Sequence, residues 1–181
     1  MRFTDMLPAF ARFRPAMPHA YQFAGIRWGD DAKVVKEKLR AAGHAIEAVD
    51  EGDIAFRGRV SGYEGTGWVY FAGKGATKVT FTVRPAPNDV LDVYDRLRSA
   101  FLRQYGATPH VVERFDAPYA KGDGKAAEAI QLGHTFIATA WRENSENAEV
   151  GFIILVTKDP GVRLSYEGPA WHAEAQRRRG G

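Results

Sequence analysis

The chain has 181 residues, 45% of them hydrophobic and 26% charged, the make-up of a globular protein large enough to bury a core of its own. It contains no Cys, which excludes disulfides, thiolate metal centres and a cysteine nucleophile. The net charge of +3 sits at the ends: Arg2, Arg12 and Arg14 face only Asp5 in residues 1–20, Arg177, Arg178 and Arg179 close the chain, and 19 basic against 21 acidic residues lie between, so no phosphate-neutralising body is expected.

Residues 1–20 read as an irregular arm, because Asp5, Arg12 and Arg14 break the apolar run that a signal peptide needs. As it stands the sequence points to the cytoplasm, or to the periplasm if the start is misassigned. The longest strongly apolar run, Phe152 to Val156, is too short to span a bilayer. Tyr21 to Trp28 has strand-like alternation, and Gly29 with Asp30 makes a turn. Asp30 or Asp31 then caps a helix whose buried face carries Val35, Leu39 and Ala42, and Gly43 ends it.

Strands are expected over His44 to Val49 and Ile54 to Val60, with a glycine-rich turn over Ser61 to Thr66. The aromatic strand Gly67 to Ala72 leads through Gly73-Lys74-Gly75 into a strand where Val79, Phe81 and Val83 alternate with Lys78, Thr80, Thr82 and Arg84. Asn88 or Asp89 caps a second helix reaching Tyr105, with Val90, Tyr94, Leu97 and Phe101 on one face and Asp92, Asp95, Arg96 and Arg103 opposite. Val111 to Phe115 is a strand, Asp116 to Glu128 a mobile loop, and Leu132 to Arg142 and Val150 to Thr157 are apolar strands joined by a polar loop. A last strand carries Val162, Leu164 and Tyr166, and Trp171 to Arg179 adds a turn of helix before the basic end frays.

This order predicts an α+β fold of two layers, an antiparallel sheet with two main helices packed on one face. Residues 21–170 form the domain, 21–86 and 87–170 read as candidate tandem helix-plus-strands units, and 171–181 form a basic C-terminal tail. The helix ends Leu39-Arg40-Ala41-Ala42-Gly43 and Leu102-Arg103-Gln104-Tyr105-Gly106 line up.

No catalytic, cofactor or metal motif emerges. The five histidines lack metal-ligand spacing, although His44 and His110 follow the two helices at comparable places. Asp50, Glu51 and Asp53 lack the glycine and terminal glutamate of a calcium loop. The glycine-dense Gly58 to Gly75 segment and Gly122-Asp123-Gly124-Lys125 lack the phosphate-loop order, and no serine sits in a nucleophile elbow.

The pattern Gly25-Ile26-x-Trp28-Gly29, then Val35, Leu39 and Gly43, resembles the opening of bacterial envelope proteins of the SmpA/OmlA type, and the plan is similar to the beta-lactamase-inhibitor-protein-like fold. The chain departs from the former in having no lipobox Cys. The resemblance implies a protein-binding sheet face and no catalytic centre.

Strand alternation puts Trp68 and Tyr70 on one face, and Trp141 on the face of Ile137 and Thr139. Trp68, Tyr70, Trp141, Thr80, Thr82 and Arg84 are therefore expected to form a sheet face turned away from the helices. The functional expectation is a non-enzymatic domain binding a protein or peptide through that face, the 116–128 loop or the N-terminal arm. The alternative is a small-ligand-binding protein or enzyme with a pocket between helices and sheet, which requires a polar cluster in the apolar layer. Nucleic acid is not expected as a partner, and edge-strand pairing allows a homodimer.

Overall fold

A computed structural model describes residues 21–106, 109–145, 148–157 and 159–180. The arm of residues 1–20 lies outside them. The chain forms an eight-stranded antiparallel sheet with helices, the α+β arrangement expected from the sequence. Helix α1 (Ala32–Ala41) is followed by β1 (Ala45–Asp50), β2 (Asp53–Val60), β3 (Tyr63–Ala72) and β4 (Gly75–Val83). A 3-10 turn at Pro87–Asp89 opens α2 (Val90–Tyr105), and then come β5 (His110–Phe115), α3 (Ala126–Leu132), β6 (Thr135–Ser145), β7 (Ala148–Thr157), β8 (Gly161–Glu167) and α4 (Trp171–Arg179).

The strand order is β1-β2-β3-β4-β8-β7-β6-β5. Each half is thus a helix followed by four strands, with α3 inserted after β5, and the halves meet where β4 pairs β8. The register there sets Val79 opposite Tyr166 and Phe81 opposite Leu164.

Local chemistry explains the elements that form. Asp31 accepts from the Val34 N–H at 2.9 Å and caps α1, while Asp30 accepts from the Arg27 N–H and pairs with Lys38 at 2.5 Å. Val35 and Leu39 of α1, and Val90, Tyr94, Leu97 and Phe101 of α2, are buried on the same side of the sheet as Ile54, Phe56, Val69, Phe81 and Leu164. Complete burial of rings such as Phe56 and Phe81 contributes about 2–3 kcal/mol each. Both rings lean over β3, where side chains are missing. A Cβ on Gly67 would lie 2.3 Å from Phe56 Cζ and 2.5 Å from the Thr80 carbonyl, and one on Gly65 would lie 2.4 Å from the Thr82 carbonyl and 2.8 Å from Phe81 Cε1. These two glycines therefore belong to β3 and leave room for the aromatic layer; the expected turn shrinks to Ser61-Gly62, both at positive φ.

Further expectations are corrected. Tyr21 to Trp28 is no strand: Ala24 and Gly25 take positive φ, the Ile26 N–H returns to Phe23 O, and Tyr21, Phe23 and Ile26 plug the core from a loop. The loop after β5 is shorter than expected, because Ala126–Leu132 coil into α3, which Gly133 ends at φ 75°. Within that loop, Asp123 accepts from the N–H groups of Ala120 and Lys125, and the Tyr119 hydroxyl donates to Glu128. His44, expected to open a strand, precedes β1 and is 7% exposed, and its ring packs against Phe23 at 5.2 Å and Phe56 at 5.3 Å. His110 starts the opposite edge strand, so the two do not meet.

The basic end does not fray. Helix α4 lies on the sheet face away from α1 and α2, with Trp171 5.5 Å from the Tyr70 ring and Lys78 Nζ 4.3 Å over Trp171. Arg178 donates to both carboxylate oxygens of Asp53, at 2.7 and 3.1 Å, and to Phe71 O at 2.9 Å. Glu174 accepts from Arg177 and Arg178, whose hydrogen bonds hold its carboxyl at about 2. Among the described residues no helix is long and apolar enough to cross a membrane.

Candidate functional site

The six residues expected to share one face divide between two. Trp68 and Tyr70 alternate with buried Val69 and Phe71 and lie on the helix-distal side, facing Thr80 and Lys78 across β4. Thr82 and Arg84 continue that row. Trp68 is half-buried, Thr80 is only 8% exposed, and Arg84 is exposed in a 3.1 Å pair with Asp159. Tyr70 is roofed by Trp171 and by the Arg178 guanidinium, 5.4 Å from its ring.

Trp141 is on the other side. It is 3% exposed, its indole N–H donates to Gly106 O at the end of α2, and its ring lies 6.3 Å from Tyr105. The reason is volume. The helix-covered side of β6 has to be filled, and Ile137, Thr139 and Trp141 fill it, whereas Ala138 and Ala140 suffice on the distal side.

The distal face is not a basic platform. Lys78 pairs with Glu167, Arg114 with Asp116, and Arg57 with Glu47. The acidic turn at Asp50 to Asp53 is not a cation site, because the Asp53 carboxylate already accepts from Phe71 N–H and Arg178. Among the described residues no group of three or more His, Asp or Glu is placed to hold a metal.

A cleft of about 870 Å³ lies on the helix side of the second half. One wall is α2, whose Leu91, Tyr94, Asp95 and Arg98 follow one another at helical spacing. Glu113 and Phe115 of β5 and Ile137 of β6 form the floor, and Lys121, Gly122 and Gly124 of the loop with Ala126 and Ala127 of α3 form the far wall. The insertion of α3 creates this cleft, since the first half has no helix between its first two strands.

Polar groups stand within this apolar layer. The Tyr94 hydroxyl and Thr139 Oγ1 are 2.6 Å apart, and Thr139 is fully buried. Burial pushes the Tyr94 phenol above its ordinary value, against the Thr139 hydrogen bond and the nearby positive charge of Arg98, both of which lower it. Lys121 pairs with Glu113 across the cleft mouth. Arg98 differs from both. Its Nε is sealed from solvent and makes no hydrogen bond, and no ion pair engages its guanidinium among the described residues. A buried donor left without an acceptor costs roughly 1–3 kcal/mol.

Sequence reasoning looked for such a cluster and missed it. The available signal was Arg98 itself, four residues beyond Tyr94 and outside the exposed set of Asp92, Asp95, Arg96 and Arg103. Comparison of the chain with protein families, with curated proteins and with solved structures finds no match in any of the three, and so does not bear on the resemblance noted in the sequence.

Proposed function

We propose that this chain is a non-catalytic binding protein whose ligand is a small molecule held in the cleft between α2, the 116–125 loop and the sheet. The observation that carries this reading is Arg98, in the wall of the cleft with a desolvated, unsatisfied Nε and no ion-pair partner among the described residues. The volume suits a small organic ligand, for which sites of roughly 300–1,000 Å³ with a mainly apolar lining and a few polar groups are usual. Binding is favoured over turnover because two of the groups able to act as bases are engaged, Glu113 with Lys121 and the Tyr94 hydroxyl with Thr139, while the third, Asp95, is exposed to water.

The test is a ligand-observed NMR screen of a fragment library against the full chain and against Ala127→Trp, which fills the cleft. Fragments that bind the first and not the second support the reading. A library without binders, or binders indifferent to the substitution in a variant of unchanged fold, overturns it. Leu91→Trp fills the cleft from the opposite wall if Ala127→Trp does not fold.

A second reading, binding of a protein or peptide by the distal sheet face, is favoured by Phe136, which stands 43% exposed there beneath Arg114. It predicts that a partner captured by the wild-type chain is lost by the Trp68→Ala, Arg84→Ala double variant. Equal capture by both counts against it.

A further inference from the structure

We infer that the ligand of the α2 cleft is an organic anion, a carboxylate or phosphate ester whose acid group pairs with Arg98 while its apolar part rests on Leu91, Phe115 and Ile137. The inference rests on the cleft being a ligand site and adds the chemical class of what it takes.

Four charged side chains line the cleft. Glu113 and Lys121 satisfy each other. Asp95 is exposed, so water solvates its charge. That leaves Arg98, half-buried, with its Nε desolvated and without an acceptor. A guanidinium has donors only and stays charged, so what completes it has to accept hydrogen bonds, and a planar or tetrahedral anion does so in a paired geometry. A cationic ligand would meet the opposite situation, with one carboxylate engaged, the other in water and an uncompensated guanidinium beside it. The Leu91, Phe115 and Ile137 side chains supply no partner for a second charged group, which points to an acid with a hydrocarbon or aromatic body and not to a polyanion such as a nucleotide.

Titration calorimetry with matched pairs tests this: phenylbutyrate against phenylbutyramide, octanoate against octanamide, and phenyl phosphate against phenol. Wild-type protein is compared with Arg98→Met, with Arg98→Lys as the charge-retaining variant, and with the cleft-filled Ala127→Trp. Melting curves establish that each variant folds. The acids should bind about tenfold or more tighter than their neutral partners. The preference should shrink to about threefold or less in Arg98→Met, be partly kept in Arg98→Lys, and weaken as salt is raised.

Equal binding of acid and neutral partner in the wild type overturns the anion assignment and leaves the cleft reading intact. An acid preference that survives Arg98→Met overturns the role of Arg98. Absence of binding by every pair, or binding indifferent to Ala127→Trp, overturns both the inference and the reading beneath it.

Discussion

Gly67 gives the most direct test of how the aromatic layer is built. Its φ lies outside the left-handed region, so alanine meets no backbone strain there and any loss is steric. The added methyl would stand 2.3 and 2.7 Å from two atoms of the Phe56 ring and 2.5 Å from the Thr80 carbonyl. Ordinary contact is at roughly 3.5–4.0 Å. Phe56 is fully buried against Phe23 and Phe81, so the ring has nowhere to retreat, and the carbonyl belongs to the β3–β4 ladder. Overpacking costs about 1–3 kcal/mol, and the double clash places Gly67→Ala near 3. At roughly 2–4 °C per kcal/mol for a chain of this size, Tm should fall by about 6–12 °C. In a Phe56→Leu background the ring clash disappears and the carbonyl contact remains, so the added cost of Gly67→Ala should drop by about 1 kcal/mol or more. Thermal and urea melts of the four-member cycle measure both numbers. A Tm within about 1 °C of wild type for Gly67→Ala, or strict additivity with Phe56→Leu, would refute the packing described.

Burial lowers the pKa of His44, so the unfolded chain takes up a proton first as the pH falls; stability is complete above about pH 6.5 and then declines by up to about 1.4 kcal/mol per pH unit down to the folded pKa. His44→Leu should flatten the fall in urea midpoint between about pH 7.5 and 5.5, and an unchanged slope would assign it to another group. Tyr94→Phe should cost about 1–2 kcal/mol by leaving the buried Thr139 hydroxyl unpaired, and adding Thr139→Val should recover most of that in urea melts; no recovery would mean that the pair is not the source of the loss. Arg178→Met removes the bonds to Asp53 and Phe71 O, so hydrogen exchange across α4 should accelerate selectively while Tm moves by about 3 °C or less. Uniform acceleration throughout the sheet would contradict local docking.

The two-layer plan was legible because the periodicities were strong. Val79, Phe81 and Val83 on β4, and the Val90, Tyr94, Leu97 and Phe101 stripe on α2, each leave one choice of buried side. Where two faces were both apolar the sequence offered no such choice. On β6, Phe136, Ala138 and Ala140 compete with Ile137, Thr139 and Trp141, and only the volume required beneath α2 selects the second set. Glycine was read as a turn former at Gly65, although there, as at Gly67, a ring from a neighbouring strand requires it. That relation spans residues 56 to 81 and is invisible to a local window. Arg178 looked solvated because its partner Asp53 lies 125 positions away. The cleft was hidden for a like reason. Its walls come from α2, β5, the loop, α3 and β6, and α3 has the Ala-rich composition of a loop exit.

The central claim is that the cleft, through Arg98, is where this protein meets its ligand. The most direct measurement follows the backbone amide and arginine Nε–H signals of the isotope-labelled full chain while phenylbutyrate is added. The account predicts saturable shifts at Leu91, Tyr94 and residues 121–127, together with movement of the Arg98 Nε–H resonance as the acid pairs with the outer nitrogens of the guanidinium. Shifts confined to Trp68, Thr80 and Thr82 on the opposite face, or an Arg98 signal that stays still at saturation, would contradict it.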